Sequence, residues 1–408
     1  MKIHFWNGTI VLFLCLLCGA VFSAELASPP KKNKGTLQKR TYRLKQNYPA
    51  PKPVDPVTLG ARPAASRPKN IILVIGDGMG PGALRLASLH AHGRPGRLLM
   101  EQLPAVGLVR TASANRDVTD SAAAGTALSS GIKTDNRMIG MTPSRTVCRS
   151  IAEAAARSGR AVGILTTDSL TGATPAAFYA HVKNRNMETD IAAQSVLCGF
   201  ELLIGNEHAK PFLPASAGGR RSDGRNLCTE LKEKGYAQVA TEKELERMKG
   251  DRKVFGFVSF PIRDPECLAR VAGAAMRRLN ADPEGFFLMV ECSNPDWGGH
   301  HHQPDQSVAG VLMTDFVLQK ALEFARKSGD TLVVVTADHE TGGVAAAPNR
   351  EDPKTPHLYY GTTEHTGVPV GIFAFGPGAE KFNGVMENTE IPRRFAEFWK
   401  LKIGPGIE

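Results

Sequence analysis

Uninterrupted apolar runs recur along the chain and predict buried β-strands. They span residues 71–75, 161–165, 286–290, 331–335 and 370–374. Runs without polar alternation are typical of strands that are covered on both faces, as in parallel sheets. Residues 149–158, 265–279 and 306–327 have helical periodicity and lie between these runs. The alternation predicts a three-layer α/β/α sandwich with a mostly parallel central sheet.

Acidic residues follow three of the predicted strands. Asp77 comes just after the first, Glu291 just after the third, and Asp338 with His339 after the fourth. In open α/β sheets, ligands bind at the carboxyl ends of the strands. One such acid could be an ordinary surface charge, but their recurrence at equivalent positions favours one shared site.

The N-terminal segment, 1–24, has the pattern of a signal peptide. Lys2 and His4 precede an apolar run at 10–22, which ends on the small residues Ser23 and Ala24. This order predicts export to the periplasm or the extracellular space. A retained membrane anchor is the alternative, although the run is short for a bilayer span.

Residues 25–69 are rich in Pro, Lys and Arg and predict a flexible basic linker. The remaining 70–408 would form one catalytic domain, since a chain of 408 residues with 42% apolar side chains can bury a large core. The net charge is +10, and much of the excess lies in the tail. We therefore expect no specific nucleic-acid binding, and only an accessory association of the tail with an anionic envelope surface.

Seven cysteines are present, of which Cys15 and Cys18 lie in the predicted signal peptide. Five remain, an odd number without the spacing of a metal knuckle. In an oxidising compartment we expect one or two disulfides and a free thiol.

Paired acids and histidines suggest metal ligands. Asp296 and His300 are four residues apart, which places them on one face of a helix. Asp338–His339 is a second oxygen–nitrogen pair, and His365 adds an imidazole. Mixed ligands of this kind suit Zn²⁺. A lone histidine is more often structural, and we interpret five others in that way: His90, His92, His301, His302 and His357.

Ser121 is followed by small helix-forming residues, which predicts a hydroxyl at a helix N-terminus. The backbone N–H groups and the helix dipole favour a phosphate at that place. The structural alternative is an ordinary N-cap at Asp120 or Ser121. Because no G-x-S-x-G elbow surrounds it, an esterase of the α/β-hydrolase type is disfavoured. Activation by a metal is expected in place of a histidine base.

Several motifs together resemble the alkaline phosphatase family, in that family's order. They are 75–80 (IGDGMG), 118–122 (VTDSA), 173–176 (ATPA), 291–300, 336–340 (TADHE) and 364–366 (EHT). The resemblance extends from about residue 69 to near the C-terminus. IGDGMG alone would pass for a dinucleotide loop, but no acidic residue stands where a ribose would need one.

The resemblance implies metal-dependent hydrolysis of small phosphate monoesters at alkaline pH through a phosphoserine on Ser121. Two Zn²⁺ and one Mg²⁺ are implied as cofactors. The first zinc would take Asp296, His300 and His365, and the second Asp77, Asp338, His339 and the Ser121 oxygen. Magnesium would take Thr174 and Glu291, with Asp77 bridging. Arg185 would hold the phosphate, with a surface arginine as its alternative.

The sequence departs from the family's pattern at three places. Gly172 stands where relatives carry Asp or His near magnesium, so we expect water to complete that shell. Trp297 replaces a His or Lys, and the short stretch 343–365 leaves no room for a crown insertion. A homodimer is left open.

Two alternative functions were weighed. A phosphodiesterase of the same superfamily typically has a Thr nucleophile and lacks the Thr174–Glu291 site. A secreted phosphate- or metal-binding protein that has lost catalysis is disfavoured, because the nucleophile, six zinc ligands and Arg185 are all present.

Overall fold

The computed structural model describes residues 40–41, 45, 47–51, 65–248, 252–352 and 355–406. The predicted signal peptide at 1–24 and most of the predicted linker lie outside these residues.

The strands are numbered in chain order. They are β1 (Arg40–Thr41), β2 (Asn70–Gly76), β3 (Ala105–Arg110), β4 (Cys148–Arg149), β5 (Ala161–Thr166), β6 (Leu202–Gly205), β7 (Ala237–Val239), β8 (Val254–Phe257), β9 (Phe286–Cys292), β10 (Thr331–Thr336), β11 (Glu340–Thr341), β12 (Ala345–Ala347), β13 (His357–Tyr359), β14 (His365–Thr366), β15 (Val370–Phe375), β16 (Gly384–Glu387) and β17 (Gly404–Pro405). All five strands predicted from the sequence are present.

The α-helices are likewise numbered in chain order. They are α1 (Pro81–His92), α2 (Ser121–Ser130), α3 (Ile151–Arg157), α4 (Ala173–Ala176), α5 (Glu188–Ser195), α6 (Leu227–Glu233), α7 (Glu242–Arg247), α8 (Cys267–Leu279), α9 (Asn294–His300), α10 (Pro304–Ser328) and α11 (Glu390–Trp399). The helices predicted over 149–158, 265–279 and 306–327 correspond to α3, α8 and α10.

A ten-stranded sheet in the order β16-β3-β15-β10-β2-β9-β5-β6-β8-β7 forms the central layer. Of its strands, β15 alone runs antiparallel to both neighbours. The strands from β10 to β7 in that order are paired in parallel. The predicted α/β fold with a mostly parallel sheet is confirmed.

Successive residues of β9 show that helices cover both faces of the sheet. Phe286 packs edge-on against Phe324 of α10, with the ring centroids 5.6 Å apart. The next residue, Phe287, lies 6.4 Å from Phe395 of α11. Neighbouring residues of a strand point to opposite faces, so α10 and α11 belong to different layers. β9 is therefore buried on both sides, which explains its uninterrupted apolar sequence.

Several described pieces of the segment predicted as a flexible linker lie against the domain, including its C-terminal end, where the Lys69 N–H donates to the Asp330 carbonyl. β1 pairs antiparallel with β13. Tyr48 is 4% exposed, and its backbone N–H donates to Nε2 of His90 at 3.2 Å. The contact gives His90 the structural role expected of it. The remainder of the linker assignment stays a prediction.

The expectation of disulfides is wrong for the five cysteines of the folded part. Cys148, Cys198, Cys228, Cys267 and Cys292 are all free. Burial raises the pKa of the Cys198 and Cys267 thiols to about 12. These cysteines stay protonated and pack as small apolar side chains.

Among the helices that the structure describes, none is both long enough and apolar enough to cross a bilayer.

A half-buried ion pair connects the start of α3 to the segment that follows α4. Ser150 and Glu153 form a capping box. The other oxygen of Glu153 lies 3.0 Å from Nε2 of His181, whose Nδ1 faces the Gly140 carbonyl at 2.9 Å. Burial alone would lower the pKa of His181, but the hydrogen bond and charge of Glu153 raise it. Both ring nitrogens face acceptors, so the protonated form is favoured.

This pair predicts a pH-dependent contribution to stability. The pKa of His181 in the folded state exceeds its unfolded value of about 6.5. The contribution is thus fully present below about pH 6.5 and is lost as pH rises through the folded-state pKa. We expect His181→Gln to lower the free energy of unfolding more at pH 6 than at pH 9, measured by urea denaturation. In a Glu153→Gln background this difference should shrink; an equal loss at both pH values would contradict the assignment.

Candidate active site

The site lies at the carboxyl ends of four adjoining strands, in the order β10, β2, β9 and β5. In this sheet Ile75 is in register with both Thr336 and Glu291, and Glu291 with Thr166. The residues that follow these positions therefore emerge side by side. The predicted convergence of strand-end acids agrees with this geometry.

Ser121 is the first residue of α2. The N-cap is Asp120, whose Oδ1 accepts from the Ala123 N–H at 3.0 Å. Ser121 is consequently not the cap, and its hydroxyl is available for another role. Its Oγ lies 3.2 Å from Nε2 of His339, and the residue is 4% exposed.

Asp296, His300 and His365 form a first group that could hold a metal ion. Asp296 and His300 lie on α9, as predicted, and Oδ1 of Asp296 is 3.3 Å from Nε2 of His300. The same oxygen is 3.4 Å from Nε2 of His365 on β14. The two Nε2 atoms are 3.1 Å apart. Backbone carbonyls fix both rings: Nδ1 of His300 faces Thr363, and Nδ1 of His365 faces Thr119. The ring nitrogens turned inward are thereby free to bind a cation.

A second group consists of Asp77, Asp296 and His339, so Asp296 is common to both groups. Oδ1 of Asp77 lies 3.5 Å, and Oδ2 of Asp338 3.1 Å, from Nε2 of His339. Neither oxygen has a hydrogen-bond partner among the described residues, although both are buried. Buried oxygens of this kind are ready ligands. The carboxylate and imidazole donors of the two groups fit a pair of divalent cations such as Zn²⁺.

The loop after β2 passes closely over Asp296. Gly78 has a φ of +67°, and a Cβ there would lie 2.5 Å from Cα of Asp296. Its N–H donates to Oδ1 of Asp338 at 3.0 Å. A glycine is therefore required in the IGDGMG motif because the loop is packed between two candidate ligands.

Thr341 was missed by the sequence analysis. Its hydroxyl donates to Oδ1 of Asp296 at 2.5 Å and lies 3.2 Å from Nδ1 of His339. It contacts a ligand of each group and fixes their orientation. It lies on a short strand paired with the His365 strand, and nothing in the sequence except its closeness to His339 distinguishes it from other threonines.

Thr174 and Glu291 form a third cluster. Glu291 is fully buried at the end of β9, and the Thr166 hydroxyl donates to its Oε2. Oγ1 of Thr174, on α4, has no hydrogen-bond partner within reach among the described residues, yet it lies near enough to Glu291 to lower the pKa of that carboxyl. The predicted oxygen ligands for magnesium are thus brought together.

Arg185 lies beside Ser121's helix. Its Nη1 is 3.3 Å from Oδ2 of Asp120, the residue that caps α2, and its side chain is 31% exposed. This places a guanidinium at the N-terminus of the helix, where an anion would bind.

Two adjacent histidines lie outside the ligand groups, as expected. His302 stacks on Tyr360 with ring centroids 4.3 Å apart, and its Nε2 faces the Thr362 carbonyl. His301 is exposed. Of this run, His300, which helical spacing from Asp296 selects, is the histidine that joins the first group.

The carboxyl groups of the site differ in how far the protein itself neutralises them. Burial alone would raise the pKa of Asp296, but a hydrogen bond from His365 and the charges of His339 and His365 hold it well below its usual range. Burial and the neighbouring carboxylates instead raise the pKa of Asp77 well above its usual value. Negative charge at the site therefore exceeds what its own cationic groups balance.

Comparisons with known proteins agree with this geometry. A sequence model of the family described as alkaline phosphatase matches residues 68–358. The chain is 30% identical to alkaline phosphatase 4 of Bacillus subtilis, over 79% of this chain and 87% of that protein. The structure of the alkaline phosphatase from the Antarctic bacterium TAB5 aligns with a TM-score of 0.74 and 33% identity, covering 83% of this chain and 99% of that one. A TAB5 variant with Mg bound in its M3 site aligns over the same shares, with a TM-score of 0.73 and 32% identity.

The excess negative charge predicts that bound divalent cations stabilise the fold. Removing them with EDTA should lower the midpoint of thermal unfolding by at least about 5 °C, and adding Zn²⁺ should restore it. Asp296→Asn, which removes the shared ligand, should make the midpoint insensitive to EDTA. Asp190→Asn, an exposed acid on α5, is the matched control. A midpoint that EDTA leaves unchanged in the wild-type protein would contradict the metal assignment.

Proposed function

Because the chain belongs to the alkaline phosphatase family, we propose that it is a metal-dependent hydrolase of phosphate monoesters. The proposal combines the family with the residues gathered at the strand ends.

The observation that carries the proposal is the position of Ser121. Its Oγ lies at the N-terminus of α2 and 3.2 Å from Nε2 of His339, which belongs to the second ligand group. Asp296 belongs to both groups, so the first group lies next to the second group, which the Ser121 hydroxyl adjoins. A hydroxyl at a helix N-terminus beside two cation sites suits attack on phosphorus, since the charge that develops is balanced on all sides.

We assign Zn²⁺ to the two mixed groups and Mg²⁺ to the all-oxygen cluster. Imidazole with carboxylate suits zinc, whereas magnesium prefers oxygen ligands. The first zinc would be held by Asp296, His300 and His365. The second would be held by Asp77, Asp338 and His339, and Thr174 with Glu291 would hold magnesium. When bound, such ions lower the pKa of hydroxyls and water and balance charge on the leaving oxygen.

The chain's own residues then perform two displacements at phosphorus. Oγ of Ser121 loses its proton and forms a bond to phosphorus as the bond to the ester oxygen breaks, and the leaving alkoxide takes a proton. A water oxygen next attacks the phosphoserine, the Oγ–phosphorus bond breaks, and Ser121 regains a proton. Arg185 and the first N–H groups of α2 hold the equatorial oxygens throughout. Asp120 keeps Arg185 and α2 in place through one carboxylate.

Export remains a proposal that rests on the pattern of residues 1–24. The order of charged, apolar and small residues there supports a periplasmic or extracellular enzyme acting on small phosphate monoesters.

Ser121→Ala tests the nucleophile. We expect hydrolysis of p-nitrophenyl phosphate at alkaline pH to fall by at least about 1,000-fold, because the first displacement loses its attacking oxygen. Ser129→Ala on the same helix is the control, since the Ser129 hydroxyl bonds only within α2 and to Ser130.

The same assay distinguishes hydrolysis of phosphate monoesters from hydrolysis of phosphate diesters. A preference of the wild-type protein for bis-p-nitrophenyl phosphate would favour a phosphodiesterase, and full activity of Ser121→Ala would exclude Ser121 as nucleophile. If the wild-type protein hydrolyses neither ester, the favoured function becomes that of a phosphate- or metal-binding protein without catalysis.

Arg185→Ala should weaken competitive inhibition by inorganic phosphate about tenfold or more. A charge-assisted hydrogen bond contributes about 1.5–3 kcal/mol, and its loss corresponds to about tenfold or more in affinity. Arg185→Lys should restore the inhibition only in part, because an ammonium lacks the planar fork. Arg326→Ala, at an exposed position on α10, is the control. An unchanged inhibition constant in Arg185→Ala would show that Arg185 does not hold the phosphate and is an ordinary surface arginine.

A further inference from the structure

Asp168 is a carboxylate of the site that the sequence analysis did not select. It follows β5 by two residues, in the way that Asp77 and Asp338 follow their strands. Its N–H donates to Oγ1 of Thr166 at 2.8 Å, and the Thr166 hydroxyl in turn donates to Glu291. This chain of hydrogen bonds fixes Asp168 beside the third cluster.

The carboxylate of Asp168 occupies the space where a side chain at position 172 would begin. A Cβ on Gly172 would collide with Oδ2 of Asp168. The backbone of Gly172, with φ −55° and ψ 151°, is one that any residue adopts. Glycine is therefore not needed there for conformational freedom, and what it provides is room for Asp168. From the sequence, water is expected to complete the magnesium shell at Gly172.

The turn between the two residues holds the carboxylate in this direction. Oδ1 of Asp168 accepts from the Ser169 N–H at 2.7 Å, and the Gly172 N–H donates to the Ser169 carbonyl at 2.8 Å. Gly172 is also the N-cap of α4, which carries Thr174. One short turn thus positions Asp168 on one side and Thr174 on the other.

Charge at this cluster is unbalanced. Burial raises the pKa of Glu291 to about 8, and the charge of Asp168 is the next largest cause. Burial likewise raises the pKa of Asp168, against the lowering effect of Arg185 and His208. The Thr174 hydroxyl oxygen nearby is buried without a hydrogen-bond partner among the described residues. The buried carboxylate of Glu291, the half-buried carboxylate of Asp168 and the Thr174 oxygen would be satisfied together by a divalent cation.

We propose that Asp168 supplies the third metal site with the carboxylate that position 172 lacks, so that Asp168, Thr174 and Glu291 together bind Mg²⁺. The inference rests on the magnesium assignment made under the proposed function. The ligand that Gly172 cannot provide would thus come from Asp168, four residues earlier in the chain, in place of the water expected from the sequence.

The test is calorimetric titration of Mg²⁺ into protein loaded with two Zn²⁺ per chain. Asp168→Asn should weaken Mg²⁺ binding at least about tenfold while zinc content stays the same. Asparagine keeps the oxygen that accepts from Ser169, so the turn is retained. Asp190→Asn serves as the control and should bind Mg²⁺ as the wild-type protein does.

An exchange of positions provides a second, independent variant. Asp168→Gly combined with Gly172→Asp moves the carboxylate to the other end of the turn, and Mg²⁺ binding should recover to within several-fold of the wild type. Wild-type affinity in Asp168→Asn, or no Mg²⁺ binding by the wild-type protein, would overturn the proposal. Because the heat of Mg²⁺ binding does not depend on turnover, failure here is distinguishable from failure to hydrolyse p-nitrophenyl phosphate.

Discussion

Buried negative charge at the carboxyl ends of β10, β2, β9 and β5 is the constraint on which the site depends. Five carboxylates converge there: Asp77, Asp168, Glu291, Asp296 and Asp338. Uncompensated buried charge costs several kcal/mol per group. The histidines offset only part of it, and the remainder creates the affinity for divalent cations. The Ser121 hydroxyl lies against the same cluster, so the cations that this charge would attract lie next to the nucleophile that we propose.

Much of this arrangement could be predicted from the sequence because its signals are local. An unbroken apolar run such as 286–290 reveals a strand buried on both faces, and an acid directly after it marks the ligand-binding edge. The four-residue spacing of Asp296 and His300 on α9 is a helical period. Each of these features is decided within a few residues of chain.

Other features depend on which distant segments meet, and no local pattern encodes that. Asp168 follows a strand end, as the other acids do. Its proposed role as a ligand, however, depends on the space left by Gly172, which only the structure shows. Thr341 resembles any strand threonine until Asp296 and His339 are seen on either side of it. The docking of Tyr48 on His90 is likewise invisible in a segment whose composition is that of a linker, and the cysteines could not be assigned as unbridged from their number alone.

The position of β2 in the sheet determines when the site can exist at all. β2 pairs with β9 and β10, which lie more than 200 residues further along the chain, and Gly78 bonds to Asp338 across a separation of 260 residues. Contacts of such high order are formed late, because a long loop must close before they contribute. During synthesis one edge of β2 therefore stays unpaired until β9 has emerged, and the other until β10 has emerged at residue 336. The two groups that contain Asp296 need still later residues, since His339 and His365 follow β10. A shorter nascent chain therefore has an open edge on an apolar strand and lacks both of these groups.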